Sequence, residues 1–425
     1  MSNAVIEFPP DFVFGSATSA HQVEGLNVHN DWWAHEHAAG TNAVEPSGAA
    51  CDHYHRYADD FRLLRFLGQP AHRLSIEWSR LEPHEGCIDT TAVEHYRQVF
   101  ASLREHDIEP WVTLHHFTLP QWFAERGGFA RRENVAMFGR FVEQAARAYG
   151  DLVEHWCTIN EPTMYALLAY RAGYFPPRRS DGDLAVEVLG NLLEAHVAAS
   201  TALRAHARRA PRVGITLSVT AHEPLDPGSA ADRTLAARRD GQSNEVSFAA
   251  LRTGVLAYPE RPAREIAGLR ASSDFVGLQY YTRTRHDAVR GRVPPAADRP
   301  CTQMGWEIYP EGLPPLLHRA SATGLPVYVT ENGIACDDDR MRVHFIADHL
   351  AAVDTARRAG ADVRGYFYWS TMDNFEWNAG YRPTFGLVAV DRTSLTRAAR
   401  PSAYFFGEII RDRRLTPALV DLYTT

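Results

Sequence analysis

Eight short apolar segments, each about as long as a β-strand, alternate with amphipathic helical segments along the whole chain. The helical period is clear at Tyr57, Phe61 and Leu64, which recur at i, i+4 and i+7 before a glycine ends the segment. Strands separated by helices pair in parallel, and eight such units predict a closed (β/α)8 TIM barrel rather than an open sheet. No GxGxxG turn follows a strand, which also disfavours a dinucleotide-binding sheet. The predicted strands are 12–17, 71–76, 110–115, 153–160, 212–219, 274–281, 327–331 and 364–369.

The chain has 425 residues, a length that often divides into two or three domains. No low-complexity linker and no internal repeat interrupts the alternation, and barrels with insertions can exceed about 400 residues. We therefore expect residues 1–425 to form one α/β barrel domain, with loop insertions on the face that carries its functional residues.

Charge and composition disfavour several classes of function. A net charge of −8 and a pI of about 6.2 disfavour nucleic acid and anionic membrane surfaces as partners. The first residues lack the features of a signal peptide, and no apolar stretch is long enough for a membrane span. Five scattered cysteines without a CxxC pair favour a reduced, cytoplasmic protein. His53 and His55 form an HxH pattern without a third ligand, so we assign them to a helix start and expect no metal.

Polar and aromatic residues cluster where the predicted strands end. Barrels of this type carry their chemistry at the C-terminal ends of the strands. Five of the eight ends have residues typical of a site, namely His115-His116-Phe117, Asn160-Glu161, Tyr280-Tyr281, Glu331-Asn332 and Tyr368-Trp369-Ser370. The pattern predicts a site on that face of the barrel.

Two of these strand ends carry a glutamate. Glu161 and Glu331 lie 170 residues apart in sequence, so only the fold can bring them together. Glycoside hydrolysis needs two carboxyl groups, of which one donates a proton and the other acts as nucleophile or base. The pair therefore indicates a glycosidase.

Five longer motifs surround the same strand ends, at residues 14–25, 73–80, 158–162, 328–333 and 369–377. In this order and spacing they resemble the motifs of glycoside hydrolase family 1, the β-glucosidase family, over nearly the whole chain. The resemblance implies a retaining β-glycosidase that works by double displacement through a glycosyl-enzyme, with Glu161 as acid/base and Glu331 as nucleophile. It implies no cofactor, because the carboxyl pair supplies the acid, the base and the nucleophile.

The resemblance also implies roles for the residues around the pair. Arg73 and Tyr281 are expected to hold Glu331 ionised and oriented. Ionised Glu331 is then expected to keep Glu161 protonated near neutral pH. Gln22, His116 and Glu376 are expected to bind the outer hydroxyl groups of the sugar, Asn160 its 2-hydroxyl and Trp377 its 3-hydroxyl. Trp369 is expected to lie beneath the sugar ring, and Trp306 to contact the leaving group. Tyr281 is also counted among the substrate-binding residues.

The residues implied for substrate binding also narrow the substrate. Relatives that cleave 6-phosphorylated sugars lack the carboxylate at the position of Glu376. A carboxylate at this position would repel a phosphate group. We therefore expect the substrate to be an unphosphorylated small-molecule β-glycoside. The resemblance favours β-glucosides, with tolerance of galactosides and fucosides.

Two departures from the family pattern carry expectations of their own. Gln279 stands where the family usually has asparagine, which is expected to alter hydrogen bonding near the acid/base. The loop at 174–184 is short, which is expected to open the site to bulky aglycones. A transglycosylase of the same chemistry and a non-catalytic sugar-binding barrel stay open as alternatives, as does the oligomeric state.

Overall fold

The computed structural model describes residues 5–425. Eight parallel strands form a closed barrel, because the fifth strand pairs with the sixth and completes the ring. We number them β1 (Val13–Ala17), β2 (Ala71–Ser75), β3 (Glu109–His115), β4 (His155–Asn160), β5 (Arg212–Pro224), β6 (Phe275–Asp287), β7 (Val327–Asn332) and β8 (Val363–Trp369). All eight predicted strands are present, and the predicted (β/α)8 barrel is confirmed.

Two of the strands are longer than the sequence pattern indicated. β5 and β6 each have 13 residues, whereas the predicted strands ended at 219 and 281, where the apolar runs stop. They stay paired beyond the barrel, with His222 opposite Thr284, and the short strand Gly291–Val293 adds to β6 in antiparallel orientation. We call this three-stranded extension the outer sheet.

Helices surround the barrel and join its strands. The longer ones are His53–Phe66, Thr90–Glu105, Val135–Tyr149, Gly182–His206, Ala230–Asp240, Val246–Thr253, Leu313–Ser321, Asp339–Arg358, Pro401–Asp412 and Pro417–Thr424. Shorter helices, at Ala20–Val23, Asp31–Glu36, Trp78–Leu81, Gln121–Glu125 and Pro162–Ala166, lie in the loops between barrel elements. Two π-helical turns, Leu167–Arg171 and Gly241–Glu245, continue neighbouring helices.

The helices follow the sequence signals for their ends and faces. The Asp89 carboxylate caps Thr90–Glu105 by accepting from the backbone N–H groups of Thr91 and Ala92, a contact that stabilises a helix by about 1 kcal/mol. The apolar face of that helix buries Tyr96, Val99, Phe100 and Leu103. His53 begins His53–Phe66, as predicted for a helix start, and its Nδ1 lies 2.8 Å from the Asp60 carboxylate.

Large side chains fill the barrel beneath the ends of its strands. Trp111 is fully buried, with its ring 5.2 Å from that of Phe275 and 5.0 Å from that of Phe367. Gly214 leaves room for this packing, since a Cβ there would lie 2.3 Å from the Phe275 ring. This packing fills the interior of the barrel at the N-terminal ends of its strands.

The two ends of the described chain meet at a small sheet, in which Ile6–Glu7 pairs with Arg414–Leu415. Two other hairpins pair Val255–Leu256 with Arg264–Glu265 and Val388–Val390 with Arg397–Ala399. All five cysteines are free thiols. Within residues 5–425, no helix is both long and apolar enough to cross a membrane.

Candidate active site

A cavity of about 500 Å³ opens at the C-terminal ends of the barrel strands. Ten residues predicted from the sequence line it, namely Gln22, His116, Asn160, Glu161, Tyr281, Trp306, Glu331, Trp369, Glu376 and Trp377. Arg73 lies fully buried beneath the cavity and does not line it. The fold therefore brings together side chains that are spread over more than 350 residues of sequence.

Glu331 near the end of β7 accepts three hydrogen bonds, one from β2 and two from β6. Its Oε1 accepts from Arg73 Nη1 and, at 2.8 Å, from Gln279 Nε2, and its Oε2 accepts from the Tyr281 hydroxyl at 2.7 Å. Burial raises the pKa of Glu331, while the charge of Arg73 and the Tyr281 hydrogen bond oppose that rise. Three donors hold this carboxylate in one orientation and favour its ionised form.

Glu161 directly follows β4 and has a different environment. Its backbone is in the left-handed region at φ 49°, a conformation that costs a non-glycine residue about 1 kcal/mol, and it precedes helix Pro162–Ala166. Ser218 lies beside its carboxyl group and opposes the rise in its pKa. Burial raises the pKa of Glu161 to about 8, and the negative charge of Glu331 adds to the rise. Glu161 therefore carries a proton at neutral pH.

This result corrects the predicted reason for the protonation of Glu161. The sequence argument assigned it to the charge of Glu331, whereas removal from water is the larger cause and the charge of Glu331 the second. Sequence spacing shows that two carboxyl groups share a site, but the depth at which each is buried depends on the surrounding loops.

Gln279 lies on the nucleophile side of the cavity. Its Nε2 donates to Glu331 Oε1 at 2.8 Å and to Asn160 Oδ1 at 2.9 Å. Because Asn160 directly precedes Glu161, the expectation that Gln279 alters hydrogen bonding near the acid/base stays a prediction. Since Asn160 Oδ1 also accepts from Arg73 Nη2 at 2.6 Å, one buried network joins the ends of β2, β4, β6 and β7.

The residues assigned to the sugar hydroxyls form a second network. Gln22 Nε2 donates to the Phe375 carbonyl at 2.8 Å and lies 3.3 Å from Glu376 Oε2. His116 is neutral, since burial and then the charge of Arg73 hold its pKa well below the usual range. The Trp369 ring stacks on His116 at 17° between planes. Gly333 permits this packing, because a Cβ there would lie 1.5 Å from the Trp369 carbonyl oxygen.

Glu376 is partly buried beside Gln22, and its protonation differs from the predicted state. Removal from water raises its pKa to about 8, and the charge of Glu331 is the second cause. Glu376 is therefore mostly neutral at pH 7, so the argument that its charge repels a phosphate does not hold.

Comparison with known proteins gives a consistent result. The model of Glycosyl hydrolase family 1 matches residues 4–415. The chain belongs to glycosyl hydrolase family 1.

Individual relatives cover almost the whole chain. Beta-glucosidase A of Thermotoga maritima is 30% identical over 97% of this chain and 99% of its own length. A bifunctional beta-D-glucosidase/beta-D-fucosidase of Bifidobacterium breve is 32% identical over 95% of this chain and 98% of its own length. Among solved structures, a beta-glycosidase from Pyrococcus horikoshii has a TM-score of 0.90 and 39% identity, with 99% of this chain and 98% of that chain covered.

Family membership confirms the predictions of an enzyme and of a glycoside hydrolase. Family 1 enzymes are glycosidases that retain the configuration at the anomeric carbon. In this family 1 glycosidase, the two glutamates of the predicted mechanism line one cavity.

The aglycone side of the cavity contains residues that the sequence argument missed. Trp306 was predicted there and packs against Tyr281, with ring centroids 5.3 Å apart. The wall beside it is formed by Met164, Leu168, Tyr174, Thr220, Thr282, Thr284, Arg292 and Met304. The alternation Thr282-Arg283-Thr284-Arg285-His286 was a usable signal, since residues two apart in a strand share a face.

Proposed function

We propose that this family 1 glycosidase hydrolyses unphosphorylated β-glucosides with retention, using Glu331 as the nucleophile and Glu161 as the acid/base. One observation carries the division of roles: Glu331 accepts from three donors, one of them a guanidinium, whereas burial raises the pKa of the Glu161 carboxyl group to about 8. An ionised carboxylate is needed for attack and a protonated one for general acid catalysis. The surroundings favour those states at Glu331 and Glu161 respectively.

In the first step, an oxygen of Glu331 attacks the anomeric carbon from the face opposite the leaving group. The bond to the aglycone oxygen breaks while Glu161 transfers its proton to that oxygen. The products are a glycosyl ester on Glu331 and the free alcohol, and Glu161 is left ionised.

In the second step, Glu161 takes a proton from water and the water oxygen attacks the anomeric carbon, which breaks the ester to Glu331. Formation of the ester removes the charge that had helped to raise the pKa of Glu161. In its ionised state Glu161 is then suited to act as the base. Two inversions give overall retention.

The glycone is proposed to bind over Trp369, with Asn160 at its 2-hydroxyl, Gln22, His116 and Glu376 at its outer hydroxyls, and Trp377 at its 3-hydroxyl. Contacts at the 2-hydroxyl strengthen in the oxocarbenium-like transition state. Asn160 suits this role because Arg73 and Gln279 fix its Oδ1, which leaves its Nδ2 toward the cavity side, 3.4 Å from His116 Nε2.

We propose that the site excludes sugars with a 6-phosphate because no suitable cation lies near Glu376 among the described residues that line the cavity, and not because Glu376 is charged. Among the described residues that line the cavity, Arg292 is the one arginine, and it lies on the hairpin after β6. Gln22 and Glu376 follow β1 and β8 instead. The chain also has no lysine. A phosphate beside Glu376 would therefore be desolvated without a partner.

Two further properties belong to this proposal. Residues 1–425 are proposed to act as one catalytic domain, and the five free cysteines support a reducing, cytoplasmic setting. Tolerance of fucosides is proposed by analogy with the Bifidobacterium breve relative, which is named a glucosidase/fucosidase. Tolerance of galactosides is proposed by analogy with the Thermotoga maritima beta-glucosidase, whose structure is solved in complex with galacto-hydroximolactam.

A panel of 4-nitrophenyl β-glycosides tests the substrate assignment. We expect glucoside turnover to exceed that of mannoside and xyloside, and glucoside 6-phosphate to be at least about 100-fold poorer in kcat/KM, as for a site that leaves a buried polar group unpaired. Proton NMR of the first product resolves its anomer. Initial release of α-glucose, or equal turnover of the 6-phosphate, would contradict the proposal.

An added alcohol tests the transglycosylase alternative, which uses the same glycosyl-enzyme. The ratio of alkyl glucoside to glucose is measured as the acceptor is raised. Glucose as the main product at low acceptor concentration supports hydrolysis, whereas alkyl glucoside as the main product there would support transfer.

A further inference from the structure

The outer sheet extends the wall of the active-site cavity beyond the barrel. β5 and β6 pair as far as Pro224 and His286, and Arg292 lies opposite His286 on the hairpin strand Gly291–Val293. Residues opposite each other in a sheet lie on the same face, so Arg292 shares a face with Thr284. Thr220, Thr284 and Arg292 all line the cavity, and we call these three residues the outer wall.

Arg292 is the one arginine among the described residues that line this cavity, and it has no ion-pair partner in residues 5–425. Arg285 on β6 also has no ion-pair partner among residues 5–425, but it does not line the cavity, and two other arginines nearby are paired. Arg290, on the same hairpin, lies 3.1 Å from Asp287, and Arg283 lies 2.6 Å from Glu307 and 2.7 Å from Glu223. A guanidinium that faces a binding cavity without a protein partner can accept a carboxylate from a ligand.

The hydroxyl groups beside Arg292 are also free to bind a ligand. Within the described chain, neither the Thr220 nor the Thr284 hydroxyl hydrogen-bonds to a protein atom, whereas the Thr282 hydroxyl donates to the Glu307 carbonyl at 2.8 Å. His222, which lies opposite Thr284 in the outer sheet, is engaged by His286 at 2.9 Å and by Ser243 at 2.8 Å. The outer wall thus offers two hydroxyl groups and one positive charge.

The position of the outer wall relates it to the aglycone. Tyr281, which donates to Glu331, and Thr284 lie three residues apart on β6, which corresponds to about 10 Å along a strand. One aryl ring and the reach of an arginine side chain together cover that distance. Trp306, Met164 and Leu168 provide apolar surface on the way, which suits a ring between the sugar and the outer wall.

We propose that the outer wall recognises a carboxylate on the aglycone, so that aryl β-glucosides with an acidic ring are the preferred substrate class. The proposal rests on the proposed function and adds the chemistry of the leaving group. Arg292 would pair with the carboxylate, while Thr220 and Thr284 would donate to its oxygens. The glycone side lacks such a cation, so an acidic group is accepted on the aglycone and rejected on the sugar.

The test compares two substrates of nearly equal size, 4-carboxyphenyl β-D-glucoside and 4-carboxamidophenyl β-D-glucoside. The measured quantity is the ratio of their kcat/KM values in wild type, Arg292→Ala, Arg292→Lys and the control Arg290→Ala. Comparing one ratio across variants cancels the different reactivity of the two leaving groups and any general loss of activity. We expect the ratio to fall about threefold in Arg292→Ala, as for a charge pair at an exposed site. Arg292→Lys should keep part of the preference, and Arg290→Ala all of it.

Salt gives a second readout, because added NaCl should lower the ratio in wild type but not in Arg292→Ala. Equal ratios in wild type and Arg292→Ala would overturn the proposal. So would an equal fall in Arg290→Ala, which would show a general effect of positive charge.

Binding separates this proposal from the assignment of the reaction. Calorimetry measures the binding of 4-hydroxybenzoate and 4-hydroxybenzamide to wild type and Arg292→Ala, and needs no turnover. Tighter binding of the benzoate that is lost in Arg292→Ala supports the outer wall even if no glucoside is hydrolysed, which would refute only the proposed function. Equal binding of both compounds to both proteins would refute the outer wall.

Discussion

The floor of the cavity and its outer wall use hydrogen-bonding groups in opposite ways. On the floor, Arg73, Gln279 and Tyr281 all donate to Glu331, and Arg73 and Gln279 also donate to Asn160. On the outer wall, Thr220, Thr284 and Arg292 have no side-chain partner within residues 5–425. The floor is complete before substrate arrives, whereas the outer wall is completed by a ligand.

This difference predicts that the floor controls the rate of catalysis and that the outer wall controls selectivity for the aglycone. A preorganised floor needs no rearrangement as charge develops in the transition state, so changes there should mainly lower kcat. Changes in the outer wall should mainly alter which aglycone is preferred. The following variants test that separation, from the largest expected effect to the smallest.

Replacing the nucleophile should have the largest effect. Glu331→Ala removes the group that forms the covalent bond, and we expect kcat for 4-nitrophenyl β-D-glucoside to fall by at least about 10⁴-fold. Stopped assays with purified protein measure the residual rate, and circular dichroism checks the fold. A rate within tenfold of wild type would show that another group attacks.

Replacing the acid should have an effect that depends on the leaving group. Glu161→Ala should lower kcat/KM by about 10³-fold for an alkyl glucoside, which needs a proton at its leaving oxygen. The loss should be far smaller for 2,4-dinitrophenyl β-D-glucoside, whose leaving group needs none. Equal losses for both substrates would contradict the role of Glu161 as acid.

Gln279 tests the nucleophile side of the floor. Gln279→Ala removes a donor to an ionised carboxylate, a contact of about 1.5–3 kcal/mol, so we expect kcat/KM to fall roughly 10- to 100-fold. Loss of the donor should also raise the pKa of Glu331 and move the acidic limb of the pH profile upward. Gln279→Asn has a side chain one methylene shorter, and its kcat/KM should lie between those of wild type and Gln279→Ala. An unchanged acidic limb in Gln279→Ala would place the amide outside the catalytic network.

The pH profile tests the raised pKa of Glu161. The acid must be protonated for the first step, so kcat/KM should hold below about pH 8 and fall above it as Glu161 loses its proton. This basic limb should disappear in Glu161→Ala and persist in Glu376→Gln. The pKa of Glu376 is also raised to about 8. If the basic limb were lost in Glu376→Gln alone, the limb would report the titration of Glu376 and not that of Glu161.

The sequence predicted the barrel well because buried parallel strands are continuous apolar runs. It also predicted that Glu161 and Glu331 share one cavity, since strand ends of a barrel converge on one face whatever their separation in the chain. The hydrogen-bond partners of the Gln279 amide could not be predicted from the sequence, because one methylene and the packing of a neighbouring strand decide which groups it reaches. The outer wall was missed because Arg292 lies on a hairpin that follows polar alternation rather than an apolar run.

The most direct test of the central claim is the configuration of the azide product formed by each alanine variant. With Glu331→Ala, azide should take the place of the nucleophile and attack the substrate directly, which gives α-glucosyl azide by one inversion. With Glu161→Ala, azide should attack the glycosyl-enzyme on Glu331, which gives β-glucosyl azide after two inversions. Proton NMR distinguishes the two anomers. We expect opposite configurations in this order, and the reverse order, or the same anomer from both variants, would contradict the assignment of the two glutamates.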